Sequence, residues 1–403
     1  MSAFFNTRDF INKHVTFREQ SFFAKDLETN RERLQSAIEG KSVLVIGGAG
    51  TIGASYIRAL LKYKPGKLVV ADINENGLTE LVRDCRSSSD IQLPADFKSY
   101  PVNFGDPVFY KIFKQEQPFD IVANFAAHKH VRSEKDVYSV EAMIENNVIR
   151  AKRFLDVLVQ HPPKHFFCVS TDKAANPVNI MGASKKLMEE VILAYSGILP
   201  ITTARFANVA FSNGSLPAGF IERMMKQQPL SSPSDVKRFF VSPDESGEIC
   251  LMACVLGVSG DIFFPKLEEK DMQNFADIAK RFLEYSGYEP LLCSSEQEAR
   301  EKVKEAEGTK KYPLFLFASE TSGEKLYEEF YTDSEELDTT SFETLGIVKN
   351  APRRSMEELD GIISRLETLF ASDAVKQDVV ELLKQMLPGF RHIETGVNLD
   401  QKM

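Results

Sequence analysis

The feature that most limits how this chain can fold is a glycine-rich turn between an apolar run and a helical pattern. Residues 42–46 form an apolar run, three glycines follow at intervals of three residues, and a helical pattern continues to Tyr63. Glycines at this spacing permit a tight turn and let backbone N–H groups approach a pyrophosphate at the start of the helix. The segment therefore predicts a dinucleotide site, with contacts from Gly47, Gly50, Thr51, Ile52 and Gly53.

Alternating apolar runs and helical patterns extend well beyond this turn. Strands are predicted at 42–46, 68–71, 98–103, 121–125, 165–170 and 201–206. Helices are predicted at 75–86, 106–117, 138–161 and 182–196. This alternation is typical of a parallel sheet with helices on both faces. We predict an α/β fold: a Rossmann-type doubly wound parallel sheet with a smaller, mostly helical C-terminal substrate lobe.

The alternation fades after Asn208, and this sets the predicted domain limits. Residues 1–40, with a helix at 26–39, form an N-terminal helical arm. Residues 41–211 form the nucleotide-binding Rossmann domain, whose last strand returns near 260–265. Residues 212–403 form a substrate-binding lobe and helical tail. Its predicted elements are helices at 220–228, 245–256 and 271–287, a charged helix or loop at 296–308, and a mostly helical stretch at 355–386.

Composition excludes several classes of function. The net charge is −9, whereas a nucleic-acid or anionic-membrane surface needs a basic face. The five cysteines lack C-x-x-C spacing, so we expect reduced core thiols and no metal site. The N-terminus lacks the apolar segment of a signal peptide, and the longest apolar run, 249–258, is too short to span a membrane. We therefore expect a cytoplasmic protein.

The predicted dinucleotide site extends over the following strand ends. Asp72, about 20 residues after the glycine turn, can accept hydrogen bonds from a ribose 2′-hydroxyl and repel a 2′-phosphate. This favours NAD over NADP. Asp72 could instead be a helix N-cap, and Arg83 or Arg86 could accommodate NADP. The remaining predicted contacts are Asn103 and Asp106 near the adenine, and the small Ala126 and Ala127 along the dinucleotide.

A hydroxyl, a carboxylic acid and an amine lie side by side at Thr171, Asp172 and Lys173, directly after a predicted strand. Adjacent acid and amine groups at a strand end are candidates for paired acid–base catalysis. Taken alone, the same residues could form a helix N-cap and an exposed ion pair of little energetic value. Their position before a helix that carries Lys185 favours the catalytic interpretation.

At these motifs the sequence resembles the extended short-chain dehydrogenase/reductases, specifically the nucleotide-sugar 4,6-dehydratases of bacterial polysaccharide biosynthesis. The resemblance covers about residues 23–359. That family commonly carries Tyr-x-x-x-Lys where this chain has Met181 and Lys185, and a branch acting on UDP-N-acetylglucosamine has the same methionine. Besides the glycine turn, the matching motifs are Ala126-Ala-His-Lys-His-Val131, Glu145-Asn-Asn-Val148, Ser170-Thr-Asp-Lys173, Met181-Gly-Ala-Ser-Lys185, Arg205-Phe-Ala-Asn-Val209, Gly214-Ser215 and Arg238-Phe-Phe.

The resemblance implies a reaction with internal hydride return. Hydride leaves sugar C4 for NAD, a base removes the C5 proton, an acid protonates the departing C6 hydroxyl, and hydride returns to C6 with C5 configuration retained. Asp172 is implied as the acid and Lys173 as the base, while Thr171 holds the C4 oxygen. Lys185 is implied to bind the nicotinamide ribose, and Met181 occupies the tyrosine position. The group that takes the C4 hydroxyl proton stays open, with Thr171 through a water, or Asp172, as the candidates.

The resemblance also implies the substrate contacts and the assembly. Arg205 is one of the implied substrate contacts, but it could instead be a structural ion-pair partner. Relatives suggest a homodimer or higher oligomer through helices near 140–160 and 183–196. A nucleotide-sugar 4-epimerase and a non-catalytic NAD-binding scaffold are the alternatives, and the nucleotide of the substrate stays open. The implied substrate-binding residues are Lys129, His130, Asn147, Arg205, Asn208, Ser212, Ser215 and Arg238.

Overall fold

The computed structural model describes residues 5–319 and 329–392, apart from the side chain of Arg132. The strands are β1 (Ser42–Ile46), β2 (Lys67–Asp72), β3 (Asp96–Pro101), β4 (Ile121–Asn124), β5 (His165–Val169), β6 (Ile201–Ala204), β7 (Asn208–Val209), β8 (Leu230–Pro233), β9 (Lys237–Val241), β10 (Ile262–Pro265), β11 (Met272–Asn274), β12 (Glu289–Cys293), β13 (Lys311–Phe317), β14 (Leu337–Asp338) and β15 (Leu345–Val348).

The α-helices surround these strands and also form most of the two ends of the described chain. They are α1 (Thr7–His14), α2 (Ala24–Thr29), α3 (Arg31–Ile38), α4 (Thr51–Leu61), α5 (Glu75–Ser87), α6 (Pro107–Glu116), α7 (Val137–Ile144), α8 (Arg150–Gln160), α9 (Ile180–Ala194), α10 (Leu216–Met225), α11 (Pro243–Leu256), α12 (Phe275–Tyr285), α13 (Glu296–Glu305), α14 (Met356–Phe370) and α15 (Lys376–Met386).

A nine-stranded sheet organises the fold, in the order β14-β15-β10-β6-β5-β4-β1-β2-β3. The strands from β10 to β3 pair in parallel, and β15 and β14 extend one edge in antiparallel pairing. The predicted Rossmann-type α/β fold is therefore confirmed. The strand order reverses between β1 and β4, and ligands of such sheets bind at the carboxyl ends of the strands at this switch point.

Two predicted helices are interrupted in the structure. The predicted helix at 26–39 divides into α2 and α3 at Asn30, whose side-chain amide donates to the backbone oxygen of Asp26. The predicted helix at 138–161 contains a π-helical segment, Glu145–Ile149, between α7 and α8. Such segments are rare and occur frequently at functional sites.

The region after residue 212 contains more strand than the sequence pattern predicted. Two three-stranded sheets form there, in the orders β11-β9-β7 and β12-β13-β8. The predicted helix at 271–287 begins as strand β11, and α12 starts only after Asn274, whose side chain accepts the N–H of Ala276. Helices still predominate in this lobe, but its strands were not predicted, because they are too short to show a clear two-residue period.

The C-terminal helices cover the face that was predicted to form a dimer contact. Apolar side chains of α14 and α15 share one core cluster with those of α7, α8 and α9. Charged pairs border this packing, with Arg153 2.7 Å from Glu367 and Lys152 2.9 Å from Asp360. A homodimer stays a prediction, and Tyr138 on α7 and Val159 on α8 are exposed. No helix within the described ranges is long and apolar enough to cross a bilayer.

Close packing between α4 and α11 depends on a glycine. A Cβ added at Gly247 would lie 2.2 Å from the backbone oxygen of Ser55 and 2.7 Å from the backbone nitrogen of Tyr56. Backbone atoms in a helix cannot yield at that distance without moving the helix. Because α4 begins at the glycine turn, its packing against α11 also fixes the position of that turn.

We predict that Gly247→Ala destabilises the protein by about 1–3 kcal/mol, the usual range for overpacking a dense core. Gly361→Ala is the matched control, because Gly361 is an exposed residue of helix α14 with open space at its Cβ position. That substitution should stabilise by about 0.5–1 kcal/mol. Thermal melts of both variants test this, and an equal or stabilising effect at Gly247 would contradict the packing described.

Candidate active site

The glycine turn forms a cradle at the start of α4. Gly47 has a φ of +75°, and a Cβ there would lie 2.6 Å from the backbone nitrogen of Ala126. A Cβ at Gly53 would lie 2.2 Å from the backbone oxygen of Gly47. The N-cap of α4 is Gly50, so no capping side chain competes for the first N–H groups of the helix. These N–H groups and the helix dipole can hold a pyrophosphate.

A cavity of about 220 Å³ opens beside this cradle, and we call it the glycine cavity. It contains all but two of the predicted cofactor residues. Asp106 does not line it; this residue lies at the start of α6, and Val102 and Phe104 take part in the wall instead. Lys185 lies in the adjoining cavity described below. The predicted residues that do line the glycine cavity are Gly47, Gly50, Thr51, Ile52, Gly53, Asp72, Asn103, Ala126 and Ala127.

Asp72 is held in place at the end of β2. Its Oδ2 accepts the N–H of Ala49 at 2.9 Å, and its Oδ1 accepts the N–H of Asn74 at 2.8 Å. The N-cap of α5 is Asn74, whose side chain accepts the N–H of Gly77. The interpretation of Asp72 as a helix cap is therefore wrong. Its carboxylate faces the glycine cavity, where it can accept a further hydrogen bond from a ligand hydroxyl.

A second cavity of about 160 Å³ adjoins the first, and we call it the lysine cavity. The two cavities have Ile52, Phe125, Ala127 and Lys129 in common. The lysine cavity brings together residues that are far apart in the sequence, including most of the predicted catalytic set. Its polar and sulfur-containing residues are Lys129, Ser170, Thr171, Lys173, Met181, Lys185, Asn208 and Ser212.

The acid–base group lies at the wall of the lysine cavity. Asp172 is buried, and its Oδ1 accepts hydrogen bonds from Thr171 Oγ1 at 2.7 Å, from the Lys173 backbone at 2.9 Å and from Lys173 Nζ at 3.0 Å. Thr171 and Lys173 line the cavity, and Asp172 lies behind them. The ion pair is therefore not exposed. Thr171 is at the N-cap position of a short 3₁₀-helix, Asp172–Ala174, but its side chain makes no capping hydrogen bond there, and α9 is capped by Asn179.

Lys185 lies one helical turn from Met181 on α9. Its Nζ donates to the Val169 backbone oxygen at 2.8 Å and lies 3.5 Å from the Met188 sulfur. Burial lowers the pKa of Lys185 to about 8. A buried amine fixed at the end of β5 is well placed to hold a ligand hydroxyl in this cavity.

Glu134 is a residue that the sequence did not single out. It is buried, and its Oε1 accepts the backbone N–H of Met181 at 2.8 Å, at the first turn of α9. Burial raises the pKa of Glu134, although hydrogen bonds from the Met181 and Ile180 backbones oppose this effect. The carboxyl group thereby anchors the helix that carries Met181 and Lys185. No local pattern marks Glu134, because its partners lie 47 residues away.

Asn147 stabilises the loop after β4 and does not line either cavity. Its Oδ1 accepts the N–H of His128 at 2.9 Å, and its Nδ2 donates to the His128 oxygen at 2.9 Å and to Ser184 Oγ at 3.1 Å. The predicted substrate contact is therefore corrected to a positioning role, since its amide is occupied within the protein. The neighbouring Asn146, on the same π-helical segment, lines the glycine cavity.

Arg205 is a structural ion-pair partner, so its prediction as a substrate contact is wrong. Its side chain is fully buried, with Nε 2.9 Å from Glu189 Oε2 and Nη1 2.8 Å from Glu335 Oε2. Nη1 also donates to the Phe330 backbone oxygen at 3.0 Å. Burial raises the pKa of Glu189, but the Arg205 charge and other partners outweigh it and bring this pKa to about 2.

The other predicted substrate residues divide into two groups. Asn208 and Ser212 line the lysine cavity, and Asn208 Nδ2 is a buried donor without a partner among the residues described. Ser215 instead caps α10 by accepting the N–H of Ala218. Arg238 is buried on β9, and its Nη1 donates to the Lys237 oxygen. Ser215, Arg238 and His130 therefore lie outside both cavity walls.

Cysteine and metal chemistry have no visible place in this site. All five cysteines are buried and form no disulfide, and burial raises the pKa of Cys168 to about 11. Within the described ranges, no group of three or more His, Cys, Asp or Glu side chains is placed to hold a metal ion.

A sequence profile described as polysaccharide biosynthesis protein matches residues 43–350, which is most of the chain. The chain belongs to the polysaccharide biosynthesis protein family. The match includes the glycine turn, the Thr171–Lys173 group, α9 and both cavities, and it stops before α14.

The curated proteins that this chain resembles have different names and activities. An uncharacterised membrane protein of Methanocaldococcus jannaschii is 28% identical over 76% of this chain and 85% of that protein. The inverting UDP-N-acetylglucosamine 4,6-dehydratase of Campylobacter jejuni is 27% identical over 59% of this chain and 70% of the dehydratase. The UDP-glucose 4-epimerase of Rickettsia massiliae is 30% identical over 56% and 66%. For two further relatives, the chain spans about half of their length, at 50% and 48%.

Solved structures of other proteins share the fold of this chain. Pen from Bacillus thuringiensis superposes with a TM-score of 0.62 at 22% identity, over 82% of this chain and 99% of Pen. The UDP-glucose 4-epimerase of Thermus thermophilus, in complex with NAD, gives a TM-score of 0.51 at 17% identity, over 72% and 90%. These likenesses show the fold.

We predict that Arg205→Met destabilises the protein by about 3–5 kcal/mol, because Glu189 and Glu335 would keep buried charges without their common partner. Arg153→Met is the matched control: Arg153 also pairs with two carboxylates, Glu145 and Glu367, but is half-exposed, so its loss should cost about 0–1 kcal/mol. Chemical denaturation compares the two variants. A mild effect at Arg205, with weakened ligand binding instead, would restore the substrate-contact interpretation.

Proposed function

We propose that this protein is a nucleotide-sugar 4,6-dehydratase that converts a UDP-N-acetylhexosamine, UDP-N-acetylglucosamine, into the UDP-2-acetamido-2,6-dideoxy-4-keto sugar. The observation that carries the proposal is the hydrogen-bonded Thr171–Asp172–Lys173 group, with Asp172 buried, at a cavity that adjoins a dinucleotide cradle. An enzyme that only oxidises and reduces C4 has no step that requires this acid–base pair. Elimination of water across C5 and C6 requires one acid and one base within reach of each other.

The cradle supports NAD as the cofactor. Gly47 and Gly53 leave no room for a Cβ, and the free N–H groups at the start of α4 suit a pyrophosphate. When bound, the nicotinamide supplies a hydride acceptor and donor for the sugar. Asp72 favours a free ribose 2′-hydroxyl, although NADP stays possible until it is tested. Lys185 would hold the nicotinamide ribose, and the small side chains of Ala126 and Ala127 would lie along the dinucleotide.

The arrangement of the acid–base pair supports the elimination step. Lys173 Nζ, facing the cavity, would take the C5 proton once C4 is a ketone, because the ketone acidifies that position. Asp172, when protonated, would protonate the departing C6 hydroxyl. The hydrogen bond between these two side chains lets one proton move between them, so that the pair can become neutral amine and neutral acid before the elimination. Thr171 Oγ1 would contact the C4 oxygen.

Sequence relationships support the substrate class and the pathway. The family description and the Campylobacter jejuni dehydratase point to sugar nucleotides for surface glycans. Asn208 Nδ2, a buried donor without a partner in the described part of the chain, would donate to the substrate. We propose retention at C5, in contrast to the inverting Campylobacter relative. The buried, unpaired thiols support a cytoplasmic protein.

A 4-epimerase is the second candidate, and the epimerase relatives favour it. The Asp172–Lys173 pair argues against it, because epimerisation at C4 has no proton transfer at C5 or C6 that would use the pair. Purified protein incubated with UDP-N-acetylglucosamine, followed by NMR and mass spectrometry, separates the candidates. Loss of one water with a new C6 methyl group supports dehydration, and C5 coupling constants report retention or inversion. A new C4 epimer at unchanged mass means an epimerase, and unaltered substrate across nucleotide sugars favours a non-catalytic scaffold.

We predict that Asp172→Asn and Lys173→Ala each abolish formation of the 4-keto product while the bound cofactor is retained. A carboxamide at position 172 could not supply the proton for the departing hydroxyl, and a methyl side chain at position 173 would leave the C5 proton without a base. Cofactor retention is measured by absorbance and release after denaturation. Lys164→Ala is a control at an exposed lysine. Full turnover by either site variant would contradict the roles assigned here.

We predict that Asp72→Ala weakens binding of NAD relative to NADP by about tenfold or more, since removal of one charge-assisted hydrogen bond changes affinity by roughly 1.5–3 kcal/mol. Calorimetric titration of the apoprotein with each dinucleotide measures the ratio. Asp84→Ala, on the exposed part of α5, is the control. An unchanged ratio would remove Asp72 from cofactor selection.

A further inference from the structure

A single ionisable side chain belongs to both cavities in the described part of the chain. The residues common to the two walls are Ile52, Phe125, Ala127 and Lys129, and only the last has a titratable group. Lys129 follows β4, on the loop at the switch point of the sheet. Its ammonium group has no hydrogen bond or ion pair with any other described residue. It is therefore free to meet a ligand where the dinucleotide and sugar sites join.

The proton count of the proposed reaction requires a group of this kind. Asp172 and Lys173 form a close pair that shares one proton as ammonium and carboxylate or as amine and acid. That one proton is used within the elimination: the acid gives it to the departing hydroxyl, and the amine takes another from C5. The C4 hydroxyl proton, lost when C4 is oxidised, therefore needs a third acceptor.

The other groups at the wall are poorly suited to that role. Met181 has no basic group at neutral pH, and Thr171 already donates to Asp172. Lys185 lines only the lysine cavity, where its Nζ bonds to the Val169 oxygen and contacts the Met188 sulfur. Ser170 donates to Glu189.

We propose that Lys129 accepts the proton of the sugar C4 hydroxyl during the first hydride transfer, an inference that rests on the dehydratase function proposed above. The O–H bond breaks and its proton moves to Lys129 Nζ. The C4–H bond breaks with its electron pair, which passes as hydride to the oxidised nicotinamide, and the C4=O bond forms. Lys129 later returns its proton to the Asp172–Lys173 pair, which has lost one after water departs and C5 is reprotonated.

The surroundings of Lys129 support a neutral amine. Lys129 is exposed as a whole residue, but partial desolvation by the surrounding protein lowers its pKa, so a larger fraction is unprotonated at neutral pH than for a lysine in water. The other charged and titratable groups on the two cavity walls are Asp72, His128, Lys173 and Lys185, and Asp172 lies behind Lys173. Desolvation is the cause of the lowered pKa of Lys129, because it disfavours the charged ammonium form.

Substitution by arginine separates proton transfer from charge. Lys129→Arg keeps a cation for substrate contact but cannot accept a proton, because a guanidinium stays protonated in proteins. We expect kcat to fall by about 10²–10⁴-fold, the usual contribution of a general base. The rise of kcat with pH that follows Lys129 deprotonation should also disappear. Substrate affinity, measured by calorimetry, should change by no more than a few-fold, and Lys111→Arg on exposed α6 should resemble the parent protein.

A second readout isolates the C5 chemistry. The 4-keto product, prepared with the unaltered protein, exchanges its C5 proton in deuterated water when Lys173 acts as base. Lys129→Arg and Lys129→Ala should both keep this exchange while losing oxidation at C4, and added methylamine should restore part of the turnover of Lys129→Ala. Near-normal kcat in Lys129→Arg, or loss of C5 exchange together with dehydration, would overturn the assignment. If the unaltered protein makes no ketone at all, the dehydratase proposal itself fails.

Discussion

The candidate active site depends on how helix α9 is held in place, because this helix carries both Met181 and Lys185. Nearly every side chain of α9 is buried. Glu134 accepts the N–H of Met181 at its first turn, Lys185 bonds to the end of β5, and Glu189 pairs with fully buried Arg205 on the chain after β6. A buried carboxylate and guanidinium stabilise the fold only as a pair, since either one alone would keep an uncompensated charge. The helix therefore cannot shift without breaking these contacts.

The sequence predicted most of the central sheet because its signals are local. The apolar run and the glycines place β1 at Ser42–Ile46, as predicted, and the switch point and cradle follow from the same segment. The acid–base group and Lys185 were found because a strand end and a following helix bring them together. The Gly47 and Ala126 backbones also meet where the order of strands requires it. Local pattern and global fold agree over this half of the chain.

The errors concern contacts between distant residues. Arg205 lies in a motif that implied a substrate contact, but its environment is decided by Glu335, 130 residues later. Asn147 has its role set by the loop after β4 and by Ser184, and neither relation is visible in a helical pattern. The small strands after residue 212 are held by pairing across the chain, such as β8 with β13. Glu134 was missed for the same reason.

The methionine in place of a tyrosine acquires a physical context from these contacts. Met181 lies in a wall that already contains three lysines and a threonine, so in the proposed reaction a phenol would be one of several groups able to take the C4 proton. In the proposed reaction, hydride leaves C4 and returns to C6 of the same sugar. The most direct measurement uses UDP-N-acetylglucosamine deuterated at C4, mixed with unlabelled substrate in ordinary water. We expect a ketone whose C6 methyl group carries the deuterium that came from C4 of the same sugar molecule. An unlabelled methyl group, or deuterium that stays at C4 of an epimer, would contradict it.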